Sequence, residues 1–340
     1  MMQQLNPLFQ LNMLIHLSLP YPKNSNIYPY FNRQGYSIKQ IEKTIPLDPI
    51  NVKKLKTVCE PQKNVTPEIV LYNESKNEYI LIECKVQSFE VDWSQRGTKQ
   101  AAGYLSLTPE YLKEIFILEK NEKINSKIIY GVNHTQAQEL FDSVKIISDE
   151  VKGVLGHSLE HETLGMEISN TGLYLSTFKN KTTKKVRILD GETIKQQALI
   201  YIIPFDINGK MEDDNRELLK TQVRNSLRSL LGKNIGAKSF SFSSLTICEK
   251  INPVWNQLPP AFQKKLKRWV HTYAKEIFAQ IHSLGVEIVL NGQTYSVPSI
   301  NDKKIKTIRK FLTSEKFLET GQNIFTNADQ MTIEDFLDSE

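Results

Sequence analysis

The stretch TPEIVLYNESKNEYILIECKV, Thr66 to Val86, constrains the fold more than any other in the chain. Two apolar runs flank the polar turn NESKN, which is the pattern of a β-hairpin. The spacing predicts strands over Glu68–Tyr72 and Glu78–Gln87. Side chains alternate across a strand, so Ile80, Ile82, Cys84 and Val86 share a face that needs a core. Tyr79, Leu81, Glu83 and Lys85 share the other. Charges therefore stand at the end of a strand otherwise made for burial, and Glu68 opens its neighbour. A tight hairpin brings the Glu68 and Glu83 carboxylates together, where they repel unless a cation lies between them. A hard ion such as Mg²⁺ or Mn²⁺ suits oxygen ligands and keeps waters for chemistry. A lysine beside it can orient a metal-bound water or neutralise a phosphate. The competing reading is a Glu83–Lys85 ion pair on a solvated strand face.

The surroundings favour an α/β fold. Residues 37–45 read as a short helix, and WSQRGTKQAAGYLSL as a second helix ended by Pro109. Strands follow near IFIL (115–118) and KIIYGV (127–132), then a helix around TQAQELF (135–141). This gives an α-β-β-α-β order in about the first 145 residues. GLYLSTF, KVRIL and ALIYIIPF read as β-like pieces up to about residue 205, and two amphipathic helices, Asp214–Leu231 and Pro260–Leu284, dominate the rest. A domain boundary is expected at 145–155. On the second helix Gln100 and Tyr104 lie four apart and share a face, with only Ala101, Ala102 and Gly103 between them. Such a pair suits a phosphate and a base; the alternative is a helix packed closely through its small residues.

Taken in order, Pro67-Glu68, Glu83-Cys84-Lys85 and Gln100-Ala-Ala-Gly-Tyr104 resemble the PD-(D/E)xK nuclease superfamily. The last element is similar to the Q-x-x-x-Y motif of its RecB-type branch. The resemblance covers about residues 37–145 and implies a restriction-endonuclease-like core within residues 1–150, followed by a mixed α+β domain over 151–325 for nucleic-acid or partner binding. It implies that Glu68 and Glu83 hold Mg²⁺ (or Mn²⁺) with the Cys84 carbonyl, that Lys85 positions the attacking water, and that Gln100 and Tyr104 contact nucleic acid. Glu42 stands as the upstream helical acid of the metal set, and Glu68 replaces the usual aspartate. The implied activity is metal-dependent hydrolysis of DNA phosphodiester bonds; the alternative is a catalytically inactive, nuclease-like DNA-binding or assembly subunit.

The remaining sequence bears on partners. The formal net charge is +5, which permits an anionic partner without requiring one. Cys59, Cys84 and Cys248 are scattered, as expected of a reducing cytoplasm and not of a disulfide framework or an iron–sulfur cluster. The start, MMQQLNPLFQLNMLIHLSLP, lacks a basic leader and is broken by Gln and Asn, so neither a signal peptide nor a membrane span is expected. No phosphate-binding G-x-x-x-x-G-K-[ST] loop occurs. Arg216, Lys220, Arg224 and Arg228 recur every four residues and predict a basic helical stripe for phosphates, with a solvated helix face as the alternative. His157-x-x-Glu160-His161 resembles the H-x-x-E-H zinc signature of inverzincin metalloproteases, a zinc hydrolase alternative that needs a helix. The tail, residues 326–340, contains Gln330, Ile333, Phe336 and Leu337 at Q-x-x-ψ-x-x-θ-θ spacing. This looks like a peptide that docks on a sliding clamp; the alternative is a turn packed on its own domain.

Overall fold

The computed structural model describes residues 6–116, 124–179, 182–192, 201–234, 239–298 and 301–312. Two compact units divide at Lys195/Gln196.

The hairpin forms where the apolar runs demand it. Strands β4 (Ile69–Asn73) and β5 (Glu78–Cys84) pair antiparallel, Ile69 opposite Ile82 and Asn73 opposite Glu78. The turn between them is fixed by its own side chains. Asn73 Oδ1 accepts from the Lys76 amide at 3.0 Å, and Asn77 takes the left-handed conformation, φ 48°, that Asn tolerates better than most residues. Upstream lie α1 (Pro7–Ser18), β1 (Ser37–Ile41), β2 (Ile45–Pro46), α2 (Pro49–Leu55) and β3 (Asn64–Val65). After the hairpin come α3 (Arg96–Leu105), α4 (Pro109–Ile115), β6 (Asn125–Asn133), α5 (Ala137–Leu155) and β7 (Glu160–Ser169). The first unit closes with β8 (Gly172–Lys179) and β9 (Thr182–Asp190).

Seven of these strands form one mixed sheet in the order β1-β4-β5-β6-β7-β8-β9. β5, β6 and β7 run parallel, and the flanking pairs are antiparallel. Parallel neighbours require crossovers, which α3 with α4 and then α5 supply. One face carries Tyr79, Leu81, Ile128, Tyr130 and Val132 against Tyr104 and Leu105 of α3 and the apolar side of α5. Helix α1 contacts β1, β4 and β5. Each Leu, Ile or Val withdrawn from water in this way contributes about 1.5–3 kcal/mol. Small residues decide how close α3 comes: a Cβ on Gly103 would lie 2.9 Å from Val65 Cγ1 on β3.

Several expectations need correction. Residues 37–45 are not a helix. Ile38, Ile41 and Ile45 sit at helical spacing, yet Ser37–Ile41 pairs with β4, and the free edge of the hairpin overrides the weak local period. Pro109 does not end a helix but begins α4, with Thr108 as its cap accepting from the Tyr111 amide at 3.1 Å. Ile115 of IFIL is therefore helical, and residues 117–118 lie outside the described residues. Tyr201–Phe205 of ALIYIIPF is not a strand, while residues 198–200 lie outside the described set. The expected break at 145–155 falls inside α5, because β7, β8 and β9 extend the same sheet and carry the first unit to Lys195.

The second unit contains α6 (Asp213–Asn234), β10 (Phe240–Ser243), α7 (Ser244–Ile251), α8 (Pro260–Ser283), β11 (Val289–Asn291), β12 (Thr294–Val297) and α9 (Asp302–Leu312). Its strands form a small sheet in the order β10-β12-β11, and α8 packs against α6 and α7. The fold class is mixed α/β. Among the described residues no helix is long and apolar enough to cross a membrane.

Candidate active site

The charged end of β5 is closed, not solvated. Glu83 is 4 % exposed and stands opposite Tyr130 of β6. Its Oε1 accepts from Lys85 Nζ and from Gln100 Nε2, each at 2.8 Å. Its Oε2 accepts from the Tyr104 hydroxyl at 2.7 Å. Lys85 Nζ also donates to Gln100 Oε1 at 2.6 Å, so Glu83, Lys85 and Gln100 form a closed triangle. Lys85 lies just past the strand, but its amide still donates to the Gly131 carbonyl at 2.7 Å. Ladder geometry thus runs one residue further and aims the ammonium at Glu83. The alternative of a solvated surface pair is excluded, because a buried carboxylate needs this many donors to offset lost hydration.

Glu68, just before β4, meets the same strand end. Its Oε2 accepts from the Cys84 amide at 2.7 Å. Burial, and then the negative charge of Glu83, hold its carboxyl well above the usual carboxylate range; the Cys84 amide and Lys85 pull the other way. Burial followed by the charges of Glu83 and Glu68 likewise pushes the Tyr104 hydroxyl far up, keeping it a proton donor. Burial and then both carboxylates push up the Cys84 thiol.

This donor set fits a hard divalent ion. Two neighbouring carboxylates are an arrangement a cation relieves, and Mg²⁺ commonly uses one or two carboxylates and fills its shell with water. Among the described residues no group of three or more His, Cys, Asp or Glu that could hold a metal occurs; the acidic groups that meet here are Glu68 and Glu83. Glu42 is not on a helix. It follows β1 with φ 46°, and its amide donates to the Glu68 carbonyl at 2.9 Å.

Two expected roles change. Tyr104 is fully buried and donates to Glu83, and the half-buried Gln100 spends its amide on Glu83 and Lys85; both hold the carboxylate. Tyr130 was missed by sequence reasoning. Its ring meets Tyr104 edge-on, centroids 6.3 Å apart, and burial followed by the Glu83 charge pushes its hydroxyl up. Only the cross-strand register with Glu83 reveals it, and that register requires knowing that β6 is parallel to β5.

The histidine motif is not helical. His157 precedes β7, while Glu160 and His161 are consecutive strand residues and so point to opposite faces. His157 Nε2 meets the Ser106 carbonyl at 3.3 Å, and the His161 ring packs on Phe141, centroids 5.5 Å apart. The zinc reading loses the helix it required.

The basic stripe forms on α6 as expected, but much of it is internally engaged. Arg216 pairs with Asp213 at 3.0 Å and Lys220 with Glu217 at 2.7 Å. The same two cations sit over Trp269 and Tyr273 of α8, at 5.7 and 5.6 Å. Arg228 is half-buried, which lowers its pKa from the ordinary value. Arg224 has partners of its own. The tail residues Gln330, Ile333, Phe336 and Leu337 lie outside the described residues.

No curated protein and no solved structure matches the chain. A family model described as the MJECL32 domain matches residues 8–147, a stretch that begins in α1, ends within α5 and contains Glu68, Glu83, Lys85, Gln100 and Tyr104.

Proposed function

We propose that the chain is a Mg²⁺- or Mn²⁺-dependent nuclease that hydrolyses DNA phosphodiester bonds, with a restriction-endonuclease-like core in its first unit. One observation carries this reading: a buried glutamate held by a lysine, a glutamine and a tyrosine beside a second carboxylate that burial, and then the charge of the first, hold toward its protonated form. The order helix, antiparallel strands, crossover helix, parallel strand agrees with such a core. A divalent ion bound there would supply charge neutralisation and an acidified water.

The chain's own groups have separable tasks. Glu68 and Glu83 supply oxygen ligands. Gln100 and Tyr104 hold Glu83 in one rotamer, so that it reorganises little when charge develops. Lys85 carries a positive charge at the edge of the site, where it can orient the attacking water and offset phosphate charge. Hydrolysis adds the water oxygen to phosphorus and breaks the bond to the leaving sugar oxygen, which takes up a proton.

A second reading, an inactive nuclease-like DNA-binding or assembly subunit, is favoured by one feature. Both Glu83 oxygens are already engaged by internal donors, and a metal must displace some of them. Purified full-length protein incubated with Mg²⁺ or Mn²⁺ and with circular and linear, single- and double-stranded DNA separates the two. The nuclease reading expects cleavage that chelation abolishes and Lys85→Met removes. DNA binding without cleavage under every condition supports the inactive subunit.

A further inference from the structure

Helix α1 is buried nearly all round, and it buries polar residues among its apolar ones: Gln10, Asn12, His16 and Ser18. Asn12 and Ser18 bond carbonyls of their own helix, each at 2.8 Å. Gln10 instead reaches across 75 positions of sequence, donating from Nε2 to the Lys85 carbonyl at 3.1 Å. Gln10 is 0 % exposed, and no described residue hydrogen-bonds its Oε1. A buried amide with an unused acceptor is costly. The neighbours Phe9, Leu11, Met13 and Leu14 are all buried and apolar, so packing alone would be served by another apolar side chain.

The bond falls where the strand would otherwise fray. Beyond Lys85 the chain leaves the sheet, and Val86 is largely exposed. The Lys85 peptide is tied on its N–H side to Gly131 of β6 and on its C=O side to Gln10. We infer that Gln10 is a positioning residue, a clamp from α1 that fixes the backbone of Lys85 and thereby the direction of its ammonium toward Glu83 and Gln100. The consequence for turnover rests on the nuclease reading; the clamp itself does not. An unclamped strand end opens locally while the rest of the sheet stays closed, the kind of sub-global motion that amide exchange detects.

The test uses the full chain with Gln10→Met, close to Gln in size, and Gln10→Asn, which keeps an amide but cannot reach. Amide exchange without metal or DNA should accelerate at Lys85 by about tenfold or more in both, while Leu81 stays within about twofold of wild type. In the cleavage assay kcat should fall by about tenfold with KM for DNA little changed. Unchanged exchange at Lys85 overturns the clamp. So does equal acceleration at Leu81, which makes Gln10 a merely structural residue. Accelerated exchange with undiminished kcat overturns the positioning role. Accelerated exchange in a chain whose wild type cleaves nothing upholds the clamp and counts against the nuclease reading alone.

Discussion

The end of β5 and the face of α6 carry similar charges in sequence and are built in opposite ways. At β5 the carboxylate of Glu83 is removed from water and receives three directional hydrogen bonds from three residues. Along α6 two of the four stripe cations are matched to acids a single turn away, Arg216 to Asp213 and Lys220 to Glu217, with side chains still open to solvent. Exposed pairs of that kind are worth about 0.2–1 kcal/mol and weaken with salt. Removing one partner of a buried pair costs about 3–5 kcal/mol, because the other charge is stranded. Charge pattern alone does not distinguish the two; burial and the number of donors per acceptor do. The first arrangement keeps one geometry, as chemistry needs, and the second tolerates many, as a helix surface or a diffuse contact with phosphates needs.

The largest expected effect breaks the β5 side of this contrast. Lys85→Ala leaves Glu83 buried without its cation and should lower unfolding stability by about 3 kcal/mol or more. Urea denaturation checks this, and adding Glu83→Gln to the same chain should restore most of the loss. Tyr104→Phe comes next. It removes one bond to a buried charged group and should cost about 1.5–3 kcal/mol, with divalent-ion affinity tightened, since one Glu83 oxygen is freed. Calorimetric titration of Mn²⁺ reads that second effect.

The third prediction concerns pH. Glu68 has a carboxyl whose folded-state pKa is raised above its unfolded value. Its proton-linked stabilisation is therefore complete below the unfolded pKa of about 4.3 and lost as pH rises through the folded value. Glu68→Gln should thus be more stable than wild type at neutral pH, with the advantage shrinking as pH falls through the folded value toward about 4.3 and gone below it. Thermal unfolding across that range checks the sign. The smallest effect belongs to α6: Lys220→Ala should change stability by no more than about 0.5 kcal/mol, and by less in high salt. A loss comparable to that of Lys85→Ala would erase the contrast.

What could be read beforehand follows the same division. The β4–β5 hairpin, α3, β6, α6 and α8 were legible because each carries its own period, turn residues or caps. Glu68, Glu83 and Lys85 were legible together because the hairpin fixes their spacing, and Gln100 and Tyr104 joined them only through the resemblance of the motif order. β1 was misread because Ile38, Ile41 and Ile45 imitate a helix, and only the edge of β4 decides otherwise. β7 was hidden by the histidine motif. It carries Thr163 and Gly165 on its covered face, and a Cβ on Gly165 would lie 3.0 Å from the His134 backbone, so strand propensity gives little signal there. The roles of Gln100 and Tyr104 were not legible, because sequence places both on the right helix face without saying whether they look outward or down onto Glu83.

The most direct test of the account is a Mn²⁺ titration of the full chain at neutral pH, followed by calorimetry, with wild type beside Glu68→Gln and Glu83→Gln. The prediction is one saturable site in the wild type, lost or weakened by at least about tenfold, or 1.4 kcal/mol, in each variant. Absence of saturable binding to the wild type, or binding that both substitutions leave unchanged, would contradict the claim that these two carboxylates hold the metal.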